Sequence, residues 1–147
     1  MVDVSRIGYT SPAFTVDVTA TDILRFAAAI GEMHPEFVDP ATARAAGHRG
    51  LPMPPTFGVC LEMMRPDPLD WARELGIDLP RMLHGAQSFR YFAPAYAGDR
   101  LTFVGRIADI AVRRKGALTV IVRETDVSNQ LGDSVMQFRA TVIVRAA

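Results

Sequence analysis

Four long stretches rich in β-branched and aromatic residues fill the chain from Arg81 onward, and no other feature constrains the fold as strongly. They read MLHGAQSFRYFAP, DRLTFVGRIADIAVRR, ALTVIVRETDVS and SVMQFRATVIVRA. Turn signals separate them at Ala97-Gly98-Asp99, at Lys115-Gly116 and from Asn129 to Asp133. Sequential strands with short connections predict an antiparallel meander. In QFRATVIVR, Phe138, Ala140, Val142 and Val144 fall on one face, while Gln137, Arg139, Thr141 and Arg145 fall mostly on the other. Such a sheet has one face to bury and needs something to cover it.

The first half of the chain supplies the cover. FTVDVT, from Phe14 to Thr19, alternates like a short strand. Thr19 and Asp22 resemble a capping box at the head of a helix, with Asp in place of the usual Glu. In that helix Ile23, Phe26, Ala27 and Ile30 form one apolar face, and Gly31 is the stop. Asp39, Pro40 and Gly47 punctuate a second, short helix. LPMPPTFGVCLEMMRPDP follows. Its prolines bracket a segment apolar nearly all round, through Phe57, Val59, Cys60, Leu61, Met63 and Met64, which is the mark of a buried helix. DPLDWARELGIDLP reads as a short amphipathic helix and a connector. One apolar helix and one curved antiparallel sheet in so short a chain must bury each other. The expected fold is therefore α+β: a single hot dog over residues 1–147, its sheet wrapped around a central helix that starts near Thr56.

Charge and composition close off several functions. Sixteen basic residues balance sixteen acidic ones, so electrostatic capture of nucleic acid or of a membrane surface is not expected. A lone cysteine excludes an internal disulfide framework and a cysteine-based zinc cluster. MVDVSRIGYT lacks a basic, apolar leader, and no stretch has the length of a membrane span, so a cytoplasmic protein is expected.

Three segments carry a family resemblance: RFAAAIGEMHPEFVDPATARAAG, PPTF at the head of the central helix, and LHGAQSFRYFAPAYAGDRL entering the sheet. With the strands they cover nearly the whole chain. It resembles the MaoC-like hot-dog proteins, in the branch of N-terminal dehydratase domains and accessory subunits of (3R)-hydroxyacyl-thioester dehydratases. The resemblance implies an acyl thioester of coenzyme A or acyl carrier protein as substrate, with no further cofactor and no metal. It also implies a homodimer, or a heterodimer with a second MaoC-like subunit. Active members are similar to R-specific enoyl-CoA hydratases. They carry a loop G-D-x-N-P-x-H-x-D whose Asp and His position a water for C3 and move the C2 proton. A backbone amide at the start of the central helix holds the thioester oxygen.

Matched to that loop, Gly31, Pro35 and Asp39 are kept, Glu32 replaces the catalytic Asp, His34 replaces the Asn, and Phe37 replaces the catalytic His. Glu32 keeps a carboxylate but moves it by a methylene, and a phenyl ring cannot carry a proton. The candidate catalytic residues are thus Glu32 and His34, against a plainer reading in which Glu32 is a solvated charge and His34 only caps a proline loop. Pro55, Thr56, Phe57, Gly58 and His84 occupy substrate-binding positions by resemblance, though a structural hydrogen bond is the favoured role of His84. Cys60 is expected to be buried packing. Met53, Met63 and Met64 are expected in the core, with an acyl tunnel as the alternative. Arg113 to Gly116 is expected to be a solvated hairpin tip, with an acidic or phosphate partner as the alternative. The favoured function is a subunit whose degenerate loop shapes an acyl groove for a catalytic partner. A self-sufficient hydratase using Glu32 and His34, and a hot-dog thioesterase, are the alternatives.

Overall fold

A computed structural model describes residues 2–146. The chain forms β1 (Phe14–Asp17), α1 (Ala20–Ile30), α2 (Pro35–Val38), α3 (Pro40–Ala45), α4 (Phe57–Glu62) and α5 (Asp70–Glu74). The remaining strands are β2 (Met82–Tyr91), β3 (Arg100–Arg113), β4 (Leu118–Ser128) and β5 (Ser134–Arg145). All five strands join one antiparallel sheet in the order β1-β3-β4-β5-β2.

That order corrects the expected meander. It holds for β3, β4 and β5, but β2 pairs with β5, from Met82 opposite Val144 to Tyr91 opposite Met136. The reason lies in residues 92–99, which bond elsewhere instead of folding into a hairpin. Ala95 O accepts from Met53 N–H at 2.8 Å, Ala97 N–H donates to Leu51 O at 2.9 Å, and Gly98 N–H donates to Val18 O at 2.8 Å. The connection therefore crosses the segment leading into α4 and delivers the chain to the far side of the sheet. β1 then pairs with β3, while β2 is left at the other edge.

Local chemistry sets α1 as the sequence predicts. Thr19 Oγ1 accepts from Asp22 N–H at 3.1 Å, and Gly31 sits in the left-handed region at φ 71°. The Glu32 amide returns to Ala27 O at 2.9 Å and closes the helix end. Ile23 and Ala27 are buried, and Phe26 stacks on Phe57 with ring centroids 4.7 Å apart. Ile30, assigned to the same face, is exposed in the last turn before Gly31.

Phe57 and Leu61 of α4 enter the main core with Phe103, Val127, Val135 and Phe138. The expectation of a helix buried all round is corrected here. Cys60 is exposed, and Met63 and Met64 stand 49% and 48% open, while Met53 is buried. One concave sheet covers only the flank of a short helix that faces it, and the other flank is open. A second core packs Trp71, Ala72, Leu75 and Ile77 against Ile107, Ile110, Ile121 and Val142, so the segment around α5 closes the other end of the sheet.

Between the two cores lies a buried ion pair. Arg123 Nη2 is 2.8 Å from Glu62 Oε1, and Arg123 Nη1 donates to Thr125 Oγ1 at 2.9 Å. The guanidinium lies 5.5 Å from the Trp71 ring centroid, in space that Gly105 leaves empty. The basic hairpin tip at Arg113–Lys115 is exposed, with Arg114 and Lys115 at φ 51° and 54°. No helix among the described residues is long and apolar enough to cross a membrane.

Candidate active-site cleft

The loop from Gly31 to Asp39 folds around α2. Glu32, half-buried, accepts the His34 amide on Oε1 at 2.8 Å. Its carboxylate therefore serves as an acceptor for its own loop. His34 is exposed at the N-cap of α2, where its side chain makes no capping bond. Its ring meets that of Phe37 edge-on at 6.3 Å. Asp39 caps α3, accepting from the Thr42 amide at 2.8 Å and from the Ala41 amide at 3.3 Å. The Thr42 hydroxyl, followed by these amides, holds the Asp39 carboxyl below its ordinary value. The frame predicted from Gly31, Pro35 and Asp39 is thus present.

Phe37 faces a cleft of about 350 Å³ whose other walls include His48, Met53, Pro55, Phe92 and Met136. Most of this lining is apolar and much of it is proline or aromatic, so the cleft suits a hydrocarbon group. Glu32 and His34 are absent from its walls. Among the substrate-binding candidates, Pro55 lines it. Thr56 is exposed at the start of α4, and Phe57 and Gly58 are buried behind it. Gly58 matters for close approach: a Cβ there would lie 2.7 Å from Met136 Sδ, so glycine lets α4 sit directly on β5. His84 lies elsewhere. It is exposed on edge strand β2, seven residues before Tyr91, or about 23 Å along the strand. The structural hydrogen bond expected of it is not found, since no side-chain bond to His84 occurs among the described residues. A separate cleft of about 400 Å³, between Ile77, Arg81 and Arg145, lies at the opposite end of β2 and β5.

A polar cleft residue that sequence reasoning missed is His48. It lines the Phe37 cleft, its Nδ1 lies 3.2 Å from Tyr96 Oη, and its Nε2 lies 3.4 Å from Glu36 Oε2. Tyr96 is itself fixed from behind. The Arg49 guanidinium covers its ring at 4.4 Å and forms two hydrogen bonds to the buried Asp99 carboxylate, at 2.5 and 2.6 Å. Burial would push the Asp99 carboxyl up, but bonds from Arg49, the Tyr96 amide and Gln130 hold it below its ordinary value. His48, Glu36 and Tyr96 share no motif spacing, so only the fold brings them together.

A curved five-stranded antiparallel sheet packed on α4, with an apolar cleft beside the loop, is a hot-dog domain. Residues 5–138 match the family model for the FAS1-like dehydratase domain region, and the chain belongs to that MaoC-like hot-dog family. It is 34% identical over 147 residues to a UPF0336 protein of Streptomyces griseus, covering 99% of this chain and 97% of the relative. Its fold is similar to the C-terminally truncated HadBC (3R)-hydroxyacyl-ACP dehydratase complex of Mycobacterium tuberculosis. There the TM-score is 0.82 at 24% identity, over 96% of this chain and 97% of the other. It is likewise similar to the ChsH1-ChsH2 complex of the same organism, with a TM-score of 0.76 at 22% identity over 93% and 89% of the two chains.

Proposed function

We propose that this protein is a cytoplasmic subunit of an enoyl-thioester hydratase/dehydratase, holding an acyl chain linked to coenzyme A or acyl carrier protein in the Phe37 cleft. A second MaoC-like subunit supplies the intact Asp/His loop. The observation that carries this reading is Phe37 itself: a phenyl ring forms the cleft wall where active members place an imidazole. Apolar walls bury the acyl chain, and Pro55, Thr56, Phe57 and Gly58 bring the thioester carbonyl to the start of α4. The reaction adds or removes water and is redox-neutral, so it needs no cofactor beyond the thioester carrier.

Two further observations support a partner. HadBC and ChsH1-ChsH2 are complexes. Strand β2 is a ten-residue edge carrying Leu83 and Tyr91, with Phe92 just beyond its end, each about half exposed. An edge of that length invites pairing with another sheet. Without its partner the chain is expected to form a homodimer through this edge, and a clean monomer at micromolar concentration in light scattering contradicts that. Catalysis by Glu32 and His34 is the lesser reading, because Glu32 is bonded within its loop and neither residue reaches the cleft. The same facts weaken a thioesterase in which Glu32 activates water.

The complex copurified from its own cells provides the test. Glu32→Gln and His34→Gln should each leave enoyl-CoA hydration within a few-fold of the parent complex. A loss beyond about a hundredfold from either, the scale of general acid–base catalysis, overturns the reading and restores the loop as the catalytic centre.

A further inference from the structure

The cleft at the opposite end of the sheet differs from the Phe37 cleft in charge. Val144, in its wall, is eight residues along β5 from Met136 in the Phe37 cleft, or about 27 Å. We propose that this second cleft binds a free medium-chain fatty acid, its tail on Val2, Ile77 and Val144 and its carboxylate on Arg145 and Thr119. The two clefts share no residue, so neither depends on what the other holds.

Three observations carry it. First, the cleft has an apolar floor and room for a ligand. Val2, Ile77 and Val144 belong to the core around Trp71 and also line the cleft, whose volume of about 400 Å³ is within the range of small-ligand sites. Second, the mouth is cationic. Arg81 is already engaged: its Nε donates to Asp78 Oδ2 at 3.0 Å, and its Nη1 donates to Ala146 O. Arg145, exposed on the same wall, meets no carboxylate among the described residues. The turn from β3 to β4 brings Arg113, Arg114 and Lys115 alongside, and its Gly116 lines the cleft. Third, Thr119 is 7% exposed and stands opposite Val144 in the sheet, so its side chain falls on the same face as the floor.

Charge and shape together select the ligand. Asp78 balances Arg81, which leaves Arg145 as the uncompensated charge on the cleft walls. A guanidinium takes a planar carboxylate by two parallel N–H···O bonds, and a hydroxyl such as that of Thr119 donates a further one. A bare anion would satisfy Arg145 and leave the floor wet. An uncharged hydrocarbon would cover the floor and leave Arg145 unpaired. A carboxylate on a hydrocarbon tail does both. The exposed Arg113, Arg114 and Lys115 raise the local concentration of anions without fixing one.

The test titrates the full chain at neutral pH with octanoate, and separately with butyrate, octanol and inorganic phosphate. Trp71 fluorescence follows the binding, because the only tryptophan shares its core with the cleft floor. Backbone amide NMR locates it. Octanoate is expected to bind saturably and to shift the amides of Ile77, Thr119 and Val144. Butyrate should bind at least about tenfold more weakly, since each methylene laid on the floor is worth up to about fourfold. Octanol, which lacks the charge, should be weaker by about tenfold, and Arg145→Gln should cost octanoate about as much. Thr119→Val, which keeps the shape and removes the hydroxyl, should cost a few-fold. Several results overturn the proposal: no saturable binding, octanoate no tighter than octanol or phosphate, or an affinity unchanged by Arg145→Gln. Amide shifts confined to Met53, Phe92 and Met136 also overturn it, because they put the acid in the Phe37 cleft instead.

Discussion

Glu62→Gln should be among the most destabilising single changes available in this chain, although it removes only a charge. Glu62 and Arg123 are 9% and 7% exposed and 2.8 Å apart. Gln keeps nearly the same volume but leaves the Arg123 cation buried without its counter-charge. Removing one partner of a buried pair costs about 3–5 kcal/mol, a large share of the ~5–15 kcal/mol that holds a typical domain together. Arg123 has no space to escape into. A Cβ at Gly105 would already lie 1.9 Å from its Nη2, and Trp71 and Thr125 close the other sides. Removing both charges should cost less than removing one: Glu62→Met with Arg123→Met replaces the pair by apolar groups of similar length, which is often near neutral. Trp71, the only tryptophan, stands beside the guanidinium and reports the transition by fluorescence during urea unfolding at fixed protein concentration. A loss below about 1 kcal/mol for Glu62→Gln, where a buried pair predicts several, refutes the reasoning. So does a double variant less stable than the single one.

Restoring the family loop with Phe37→His, Glu32→Asp and His34→Asn should bring measurable hydration of a short trans-2-enoyl-CoA, since a His at 37 faces the cleft, and a folded but inert variant refutes it. Acid should destabilise the protein below about pH 4, because hydrogen bonds hold the folded Asp99 and Asp39 carboxyls below their ordinary values. Their contribution is complete above the unfolded value and is lost as pH falls through the folded one. Asp99→Asn should be less stable at pH 7 and flatter in its acid limb, and an unchanged pH–stability profile contradicts this.

What was legible in the sequence was what neighbours in the chain decide. Thr19 and Gly31 bound α1, and Asp39 caps α3, because each acts within a few residues of itself. The alternation in β5 gave its buried and wet faces correctly. Strand order was not legible. β2 and β5 meet across some fifty residues of intervening chain, and what separates β2 from β3 is a set of backbone bonds from residues 92–99 to Leu51, Met53 and Val18. Apolar character also misled at α4. Met63 and Met64 match Leu61 in hydrophobicity, and only the position of the sheet decides that one side of a short helix is covered. His48 was invisible for the same reason as β2: its partners stand 12 and 48 residues away.

These long-range links divide the molecule into two ends with different duties. At one end, Trp71, Leu75 and Ile77 pack on the sheet and the Glu62–Arg123 pair ties α4 to β4. At the other, α2, the residues before α4 and the 92–99 connection converge on the Phe37 cleft, and the rigid sheet holds these loops as a scaffold holds a binding site. The hinge of that arrangement is Asp99. It accepts from Arg49, Gln130 and the Tyr96 amide while fully buried, and through Arg49 it presses on the ring whose hydroxyl orients His48. A carboxylate that never reaches the cleft thus fixes the geometry of the one imidazole that does. Loosening Asp99 should disturb the cleft before it disturbs the core.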